Sequence, residues 1–395
     1  MLPQTEQLLQ YWRNQTRLQA KRLLSVAPNS TAEVLRQLGI AVSEDYCYFK
    51  MRFNGTAVEP ADAFTEHCQA TGKQVLNRAQ VYAQLLTRLL RQRAAGQQLR
   101  PFEFYMDLND GTRNNVELFR RLRVPITSFS RNPHDRYTVP LPDIHMTLGI
   151  YASSLDWGSG GFEHIRGFAE GMSLIYARDW AVPWSTKIPK LVYRGSCFPT
   201  ILSDNWSPST RVNIRAELCE AHGNKTEYDI GLRPGYACTN PRISGTPMCA
   251  GCRACFAMPE MSGEQQVQYK YQLMVDGIGG SNEASVKKLL SNSAVIRLRP
   301  NGWDSPVFQQ LYEPLLEPYR HIIPSDTAGV PAAIEWCERH AGRCERMASA
   351  GRKLMQCFLQ QEVLDDYIFG VFQYMHDSLA SPQHASAEYN YALHI

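Results

Sequence analysis

Apolar residues recur along this chain with two different periods, one typical of helices and the other of strands. Between residues 75 and 93 they are three or four positions apart, which predicts a long amphipathic helix. Its apolar positions include Val81, Leu85, Leu86, Leu89 and Leu90. Residues 102–106 then form an aromatic and apolar run that predicts a strand. Because the two patterns alternate as far as residue 324, the sequence predicts an α/β fold.

The same alternation continues on both sides of a proline-rich link. Further strands are predicted at residues 124–128, 190–193, 271–275 and 294–298, and further helices at residues 116–122, 160–174 and 283–290. Helical patterns also occupy residues 2–38, 332–347 and 352–378. We expect both ends of the chain to be helical extensions, and the C-terminal one to pack back on the body.

The link is bracketed by Pro183 and Pro189, and we place the domain boundary there. Residues 1–185 are predicted to hold the N-terminal helices and a first Rossmann-like lobe, residues 186–330 a second lobe, and residues 331–395 the C-terminal helices. Residues 219–263 are rich in Gly, Pro and Cys and show no period, so they are predicted to be an insertion in the second lobe.

Composition and charge narrow the class of protein. A net charge of +3 over 395 residues, without a concentrated basic segment, argues against a nucleic-acid partner. No apolar run in the sequence approaches the roughly 20 residues that span a bilayer. The first helical segment, residues 5–24, is polar and amphipathic rather than a signal peptide. The expected location is the cytoplasm if the chain is complete, and the lumen of the ER or Golgi if a signal segment was removed.

A glycine loop stands between a predicted strand and a predicted helix. It contains Asp276, Gly277, Gly279, Gly280 and Ser281. Backbone amides at such a loop, together with the dipole of the helix that follows, favour an anion such as a phosphate. The loop is also loosely similar to the dinucleotide-binding fingerprint. A nucleotide-dependent oxidoreductase is therefore one hypothesis for this protein.

Two carboxylates, Asp107 and Asp110, follow the strand at residues 102–106. Ligands of open α/β sheets bind at the carboxyl ends of the strands, where a carboxylate can act as a general base. The alternative is a turn at Gly111 in which Asp110 or Thr112 caps the next helix. From the residues alone both interpretations stay open.

The second lobe contains a short motif, Arg194, Gly195 and Ser196, after a predicted strand. The planar guanidinium of arginine can pair with a phosphate through two hydrogen bonds, and a Gly-Ser turn brings backbone amides close to the same anion. Two further arginines, Arg211 and Arg215, follow this motif. From the residues alone, each could lie on a solvated helix face.

Four cysteines are closely spaced in the predicted insertion: Cys238, Cys249, Cys252 and Cys255. Thiolates at such spacing can hold a structural zinc ion tetrahedrally. The alternative is a loop stapled by disulfides, as in proteins of an oxidising lumen. The total of eleven cysteines is odd, so at least one is free or bound otherwise if the chain is monomeric.

The glycine loop, its helix, the segment Leu289 to Ser293 and the segment Tyr312 to Pro324 with His321 follow one another in a fixed order. This order resembles glycosyltransferase family 90, the family of the protein O-glucosyltransferases and the capsule-associated xylosyltransferases. The resemblance extends in patches from residue 102 to residue 324. It implies a GT-B-like fold, with two Rossmann-like lobes facing a cleft.

The resemblance also implies a reaction: inverting, metal-independent transfer of glucose or xylose from a UDP-sugar to a hydroxyl of a protein or glycan acceptor. Asp110 stands at the position of the family's catalytic base. Arg194 and Arg215 are the implied contacts of the diphosphate, with the less well spaced Arg211 as the alternative to Arg215. Where members of the family carry an arginine this chain has Ser285, so the missing contact is expected from Lys287 or Lys288. A catalytically degenerate protein that binds a nucleotide sugar or glycan is the alternative.

Overall fold

The computed structural model describes residues 48–60, 73–94, 99–108, 126–131, 138–158, 165–197, 200–201, 211–212, 214–223, 225–233, 252, 255–256, 258–276, 283–299 and 309–379. The chain divides into two compact units, Met1–Tyr176 with Leu359–Ile395, and Ala177–Phe358. The division at residue 177 precedes the predicted link at Pro183. The C-terminal helices, expected as one segment, are shared between the two units. The helices predicted within residues 2–38 and at residues 116–122 lie outside the described residues.

The first unit is built on a mixed five-stranded sheet in the order β2-β1-β3-β4-β6. Strand β1 is antiparallel to β2 and β3, whereas β3, β4 and β6 are parallel. Its strands are β1 Tyr48–Phe53, β2 Val58–Pro60, β3 Phe102–Asp107, β4 Ile126–Ser128, β5 Ser130–Arg131 and β6 Thr138–Pro140. Its helices are α1 Lys73–Arg93, α2 Ile144–Tyr151, α3 Arg166–Ala177 at the boundary between the units, and α9 Gln361–Leu379.

Apolar periodicity explains how these elements pack. The five apolar positions predicted for the face of α1, from Val81 to Leu90, are all buried. Helix α9 packs on α1 and on β3. Its Phe372 ring lies 5.2 Å from the ring of Phe102 and 5.4 Å from that of Phe53, measured between centroids. The C-terminal helix therefore completes the core of the first unit.

The second unit is built on a parallel five-stranded sheet in the order β10-β7-β11-β12-β14. Its strands are β7 Ile188–Ser196, β8 Thr200–Ile201, β9 Arg211–Val212, β10 Tyr228–Arg233, β11 Tyr269–Met274, β12 Ala294–Leu298, β13 Gln309–Gln310 and β14 Ile323–Ser325. Its helices are α4 Ile214–His222, α5 Gly263–Gln266, α6 Glu283–Leu290, α7 Val330–Arg339 and α8 Ala341–Phe358. The predicted α/β fold is confirmed, with parallel strands and helices in this unit, and the bounds predicted for α6 and β12 are those observed.

The predicted insertion at residues 219–263 is wrong over its first part. Tyr228–Arg233 is β10, the edge strand beside β7, and Cys219 lies within α4. Gly231 interrupts the apolar pattern of this strand for a reason in the fold: a Cβ there would stand 2.9 Å from Nε of Arg194. The glycine that suggests a loop thus allows a side chain of β7 to cross the strand.

The helical region after β14 also differs in detail from the prediction. Residues 332–347 were expected as one helix, but α7 ends at Arg339, because the backbone of His340 leaves the helical conformation at φ −124° and ψ 44°. A disulfide between Cys337 and Cys344 spans this break and joins α7 to α8. Among the helices of the described ranges, none is long and apolar enough to cross a bilayer.

Candidate functional site

The order of the parallel sheet locates a candidate site in the second unit. Strand β7 is the first of its strands in the chain, β10 is the second, and β11, the third, lies on the other side of β7. The chain therefore reverses its winding direction between β7 and β11. In open α/β sheets such a switch point, at the carboxyl ends of the strands, is where ligands bind. At this switch point β7 ends at Ser196, and Asp276 lies two residues after the end of β11 at Met274.

Arg215 lies at this switch point. It is in the first turn of α4, and its Nη1 donates a hydrogen bond to the carbonyl oxygen of Ser196, 2.5 Å away. Arg215 also hydrogen-bonds the hydroxyl of Tyr193. Its Nε is buried and finds no acceptor among the residues that the structure describes. A cation is thus held against the end of β7.

Tyr193 is a member of the site that the sequence did not indicate, because an aromatic residue in a buried strand is usually core. Burial raises the pKa of its hydroxyl, and the neighbouring Arg215 opposes this rise. A Cβ on Gly195 would lie 2.5 Å from the Tyr193 hydroxyl oxygen. Gly195 is therefore needed here so that the tyrosine can lie along its own strand toward Ser196.

The two candidate lysines of α6 take different directions. Lys288 is 6% exposed, and its Nζ lies 5.1 Å from the centroid of the Tyr193 ring. Lys287 instead lies beside Gly263, where its Cδ would be 4.0 Å from an added Cβ. Lys288 is therefore the lysine that lies beside β7, and Tyr193 contacts Lys288 through its ring and Arg215 through its hydroxyl.

Arg194, which the sequence predicts to contact a phosphate, makes its hydrogen bonds within the second unit. Its Nε donates to the carbonyl of Pro259 at 3.0 Å, and its Nη1 donates to the carbonyls of Tyr193 at 3.0 Å and Asp229 at 2.8 Å. Its Nη2 donates to Oδ1 of Asp229 at 2.6 Å. Four of the five N–H groups of a guanidinium are used in this way. Arg194 therefore cross-links β7, β10 and the segment before α5.

Asp276 is buried in an ion cluster. Its Oδ1 lies 2.6 Å from Nη2 of Arg297, which also lies 2.9 Å from Oε2 of Glu313, and Arg299 contacts the same oxygen at 3.1 Å. Burial raises the pKa of the Asp276 carboxyl to about 6, and Arg297 opposes the rise. The signal for this cluster was present in the sequence, since an arginine inside the apolar run of β12 requires a buried partner.

The predicted zinc site is contradicted by two disulfides. Cys252 pairs with Cys197, which directly follows Ser196, and Cys255 pairs with Cys219 of α4. These bonds use thiols that a four-cysteine zinc site at Cys238, Cys249, Cys252 and Cys255 would need, and both partners come from outside the predicted set. The disulfide alternative is correct for Cys252 and Cys255. Cys238 and Cys249 lie outside the described residues, and no group of side chains that could hold a metal occurs within the described ones.

The first unit presents a second edge of parallel strands. Strand β3 ends at Asp107, which is buried and lies in register with Ser128 of β4. Arg78 of α1 donates from Nη1 to the carbonyl of Leu108 at 2.7 Å, and so brings a cation to this edge that the sequence did not indicate. The candidate base Asp110 lies outside the described residues. The same holds for four residues of the predicted glycine loop, Gly277, Gly279, Gly280 and Ser281.

Comparison with known proteins bears directly on this arrangement. The family model described as "Glycosyl transferase family 90" matches residues 67–386, which covers most of the chain and both of its units. A search of curated proteins found no match to the chain. The matched region includes the switch point with Arg215, Lys288 and Asp276, as well as the position of Asp110. This chain therefore belongs to glycosyl transferase family 90.

Proposed function

We propose that this protein is an inverting glycosyltransferase that moves glucose or xylose from a UDP-sugar to a hydroxyl of a protein or glycan acceptor. The observation that carries the proposal is the pair of cations, Arg215 and Lys288, that both contact Tyr193 near the switch point of a parallel sheet. A nucleotide diphosphate is the anion that such a site suits, and family membership makes the sugar the transferred group.

In this proposal the second unit binds the donor. Arg215 and Lys288 neutralise charge on the diphosphate, and the backbone amides of Gly279, Gly280 and Ser281, with the start of α6, add to them. Arg194 is left out of the diphosphate contacts because Asp229 and three carbonyls already occupy it. Donors fixed in advance at the place where leaving-group charge develops can supply the stabilisation that other transferases take from a metal ion. The proposed reaction therefore uses no metal cofactor.

The first unit supplies the base and the acceptor site. Asp110 takes the proton of the acceptor hydroxyl while that oxygen attacks the anomeric carbon from the side opposite UDP. The new bond joins the acceptor oxygen to the anomeric carbon, and the electron pair of the broken bond leaves with UDP. In this proposal the two units correspond to the acceptor lobe and the donor lobe of a GT-B enzyme.

The three disulfides among the described residues favour an oxidising compartment for this reaction. We therefore propose the lumen of the secretory pathway as the location. Thiol labelling of the denatured protein, with and without prior reduction, tests this proposal. In protein isolated from its native source, the six cysteines of these disulfides should be labelled only after reduction. Full labelling without reduction would place the protein in a reducing compartment instead.

A catalytically degenerate nucleotide-sugar binding protein is the second candidate. The observation that favours it is the use of Arg194 in structural hydrogen bonds, which leaves fewer cations for the leaving group. Such a protein would bind UDP-sugars and release no UDP.

The test is UDP release from UDP-glucose and from UDP-xylose, with and without EDTA, for the wild type, Asp110→Asn and Asp156→Asn. We expect EDTA-insensitive release from one of the two sugars, lost in Asp110→Asn and retained in Asp156→Asn, an exposed carboxylate of the same unit. Binding without release, even with candidate acceptors present, would favour the second candidate. Absence of any binding would overturn the donor site.

A further inference from the structure

Tyr193 is the residue that both candidate cations of the donor site contact. Arg215 hydrogen-bonds its hydroxyl, and Nζ of Lys288 lies 5.1 Å from the centroid of its ring. The two cations come from different helices, α4 and α6, whereas Tyr193 belongs to β7. One side chain of the sheet therefore contacts a cation from each helix.

The direction of the Tyr193 side chain is visible from its own strand. A Cβ added to Gly195 would lie 2.5 Å from the hydroxyl oxygen and 2.9 Å from Cζ of the ring. The ring therefore lies over the backbone of Gly195 and directs its hydroxyl toward the end of β7. There the carbonyl oxygen of Ser196 accepts the hydrogen bond of Arg215. Arg215 is thus held by two acceptors, one from the backbone and one from a side chain.

Neither of these acceptors carries a charge. The side chain of Tyr193 is buried, and burial raises the pKa of its hydroxyl above the ordinary value near 10, so the group stays neutral near pH 7. A carboxylate in the same place would hold Arg215 but would also cancel its charge. The ring likewise attracts the ammonium of Lys288 through its quadrupole, without a counter-charge. Tyr193 can therefore hold both cations and leave their charge to act on an anion.

The hydroxyl of Tyr193 is not explained by core packing. A phenylalanine would fill nearly the same space, and burying a hydroxyl costs free energy unless it is hydrogen-bonded. Its bond to Arg215 supplies that partner. What the tyrosine adds to the core is therefore the direction that it gives to a cation.

We propose that Tyr193 is a positioning residue of the donor site: its hydroxyl holds Arg215 at the end of β7, and its ring holds Lys288 beside the same strand. The inference rests on the proposed function for the identity of the ligand, a nucleotide diphosphate. The contacts of Tyr193 with the two cations do not depend on it.

The test compares Tyr193→Phe with Tyr271→Phe. Tyr271 is also 2% exposed, lies on the neighbouring strand β11, and donates its hydroxyl to Oε1 of Glu338, so each variant loses one hydrogen bond to a charged group. We expect Tyr193→Phe to weaken UDP binding about tenfold, measured by isothermal titration, and Tyr271→Phe to bind UDP like the wild type. Tyr193→Met, which loses the ring as well, should weaken binding further.

A double-mutant cycle separates positioning from general damage to the fold. If the hydroxyl of Tyr193 acts through Arg215, then Tyr193→Phe should cause no further loss of UDP affinity in an Arg215→Met background. Additive losses would overturn the positioning role. Equal UDP affinities for the wild type and Tyr193→Phe would overturn it as well.

A measurement without ligand distinguishes this inference from the proposed function. The Nε–H signal of Arg215 in an NMR spectrum can be assigned by its absence in Arg215→Met. Tyr193→Phe should shift this signal and speed its hydrogen exchange, whereas Tyr271→Phe should leave both unchanged. If the wild type fails to bind UDP, the proposed function is overturned and this signal alone decides whether Tyr193 holds Arg215. An unchanged signal would overturn the positioning role. Should Tyr193→Phe fail to fold, Tyr193→Met replaces it with the same expected change in the signal.

Discussion

Arg215 donates a hydrogen bond from Nη1 to the carbonyl oxygen of Ser196 and thereby ties the first turn of α4 to the end of β7. The contact joins two residues that are separated in sequence by a short hairpin-like pair of strands, β8 and β9. Among the residues that the structure describes, the buried Nε of Arg215 finds no acceptor and no carboxylate pairs with its guanidinium. Within this part of the chain the contact thus orients the side chain for an anion instead of neutralising it with a carboxylate.

Replacing Arg215 should therefore weaken donor binding. We expect Arg215→Met to raise the Kd for UDP about tenfold to hundredfold, the effect of losing one charge-assisted hydrogen bond of about 1.5–3 kcal/mol. Isothermal titration with UDP measures it. Arg233→Met is the matched control, because Arg233 is an exposed arginine of β10 that pairs with Glu260 at the surface. Equal affinities for the two variants would contradict the role given to Arg215.

The two neighbouring lysines of α6 provide a second comparison. Lys288→Met should weaken UDP binding, because it removes the cation beside Tyr193. Lys287→Met should bind UDP like the wild type, because Lys287 lies toward Gly263. The expected difference in Kd is about tenfold, measured by the same titration. A loss that is larger for Lys287→Met would reverse the assignment.

Arg194 should behave as a structural residue. Its pair with Asp229 is largely buried, with side chains 10% and 18% exposed, so Arg194→Met leaves a buried carboxylate without its cation. We expect a loss of about 3 kcal/mol in unfolding free energy, or about 6–12 °C in melting temperature for a unit of this size. Urea denaturation measures the loss.

The control for this loss is again Arg233→Met, whose exposed ion pair should contribute less than about 1 kcal/mol. UDP affinity of the folded Arg194→Met protein should stay close to that of the wild type. A large loss of affinity at nearly unchanged stability would restore Arg194 to the diphosphate contacts.

The disulfides should differ in their contribution to stability. Cys197–Cys252 closes a loop of 55 residues, whereas Cys337–Cys344 closes one of 7. In the chain-entropy model these loops correspond to about 4 and about 2 kcal/mol. Cys197→Ser/Cys252→Ser should therefore unfold at a lower urea concentration than Cys337→Ser/Cys344→Ser. The opposite order would show that native packing around these bridges outweighs the constraint on the unfolded chain.

The sequence was a good guide where a residue's neighbours along the chain determine its structure. Helix α6 and strand β12 have the predicted bounds because each has a regular apolar period and clear boundaries. The sequence did not reveal strand β10, because its Gly231 suggested a loop. The structure explains this glycine: the side chain of Arg194 crosses β10 where a Cβ on Gly231 would lie. Local pattern cannot reveal such a contact between strands.

The same limit applies to the site. Arg215 and Lys288 were candidates from resemblance and spacing, but the sequence did not show that both contact Tyr193. Nor could it pair Cys197 with Cys252, since the connectivity of cysteines is not deducible from their order. The charge of Arg297 inside the apolar run of β12 is visible in the sequence, but only the structure identifies Asp276 and Glu313 as its partners.

Lys187 makes the stability of the second unit depend on pH. Its Nζ is buried and donates to the carbonyl of Val267 at 2.5 Å and to Oγ of Ser293 at 2.9 Å, and burial lowers the pKa of this amine to about 7. The unfolded chain, with an ordinary lysine pKa near 10.4, binds more protons than the folded one between about pH 7 and pH 10. Stability attributable to Lys187 must therefore rise with pH through this window.

We expect the wild type to gain about 2–3 kcal/mol in unfolding free energy relative to Lys187→Met when the pH is raised from 7 to 9.5. Urea denaturation of both proteins at the two pH values measures this, and groups that titrate equally in both cancel in the difference. Lys187→Met removes the amine while keeping an unbranched apolar side chain of similar length. The free energy of unfolding of the wild type minus that of Lys187→Met should thus increase with pH. If it stayed constant or fell as the pH rises, Lys187 would stay protonated in the folded protein.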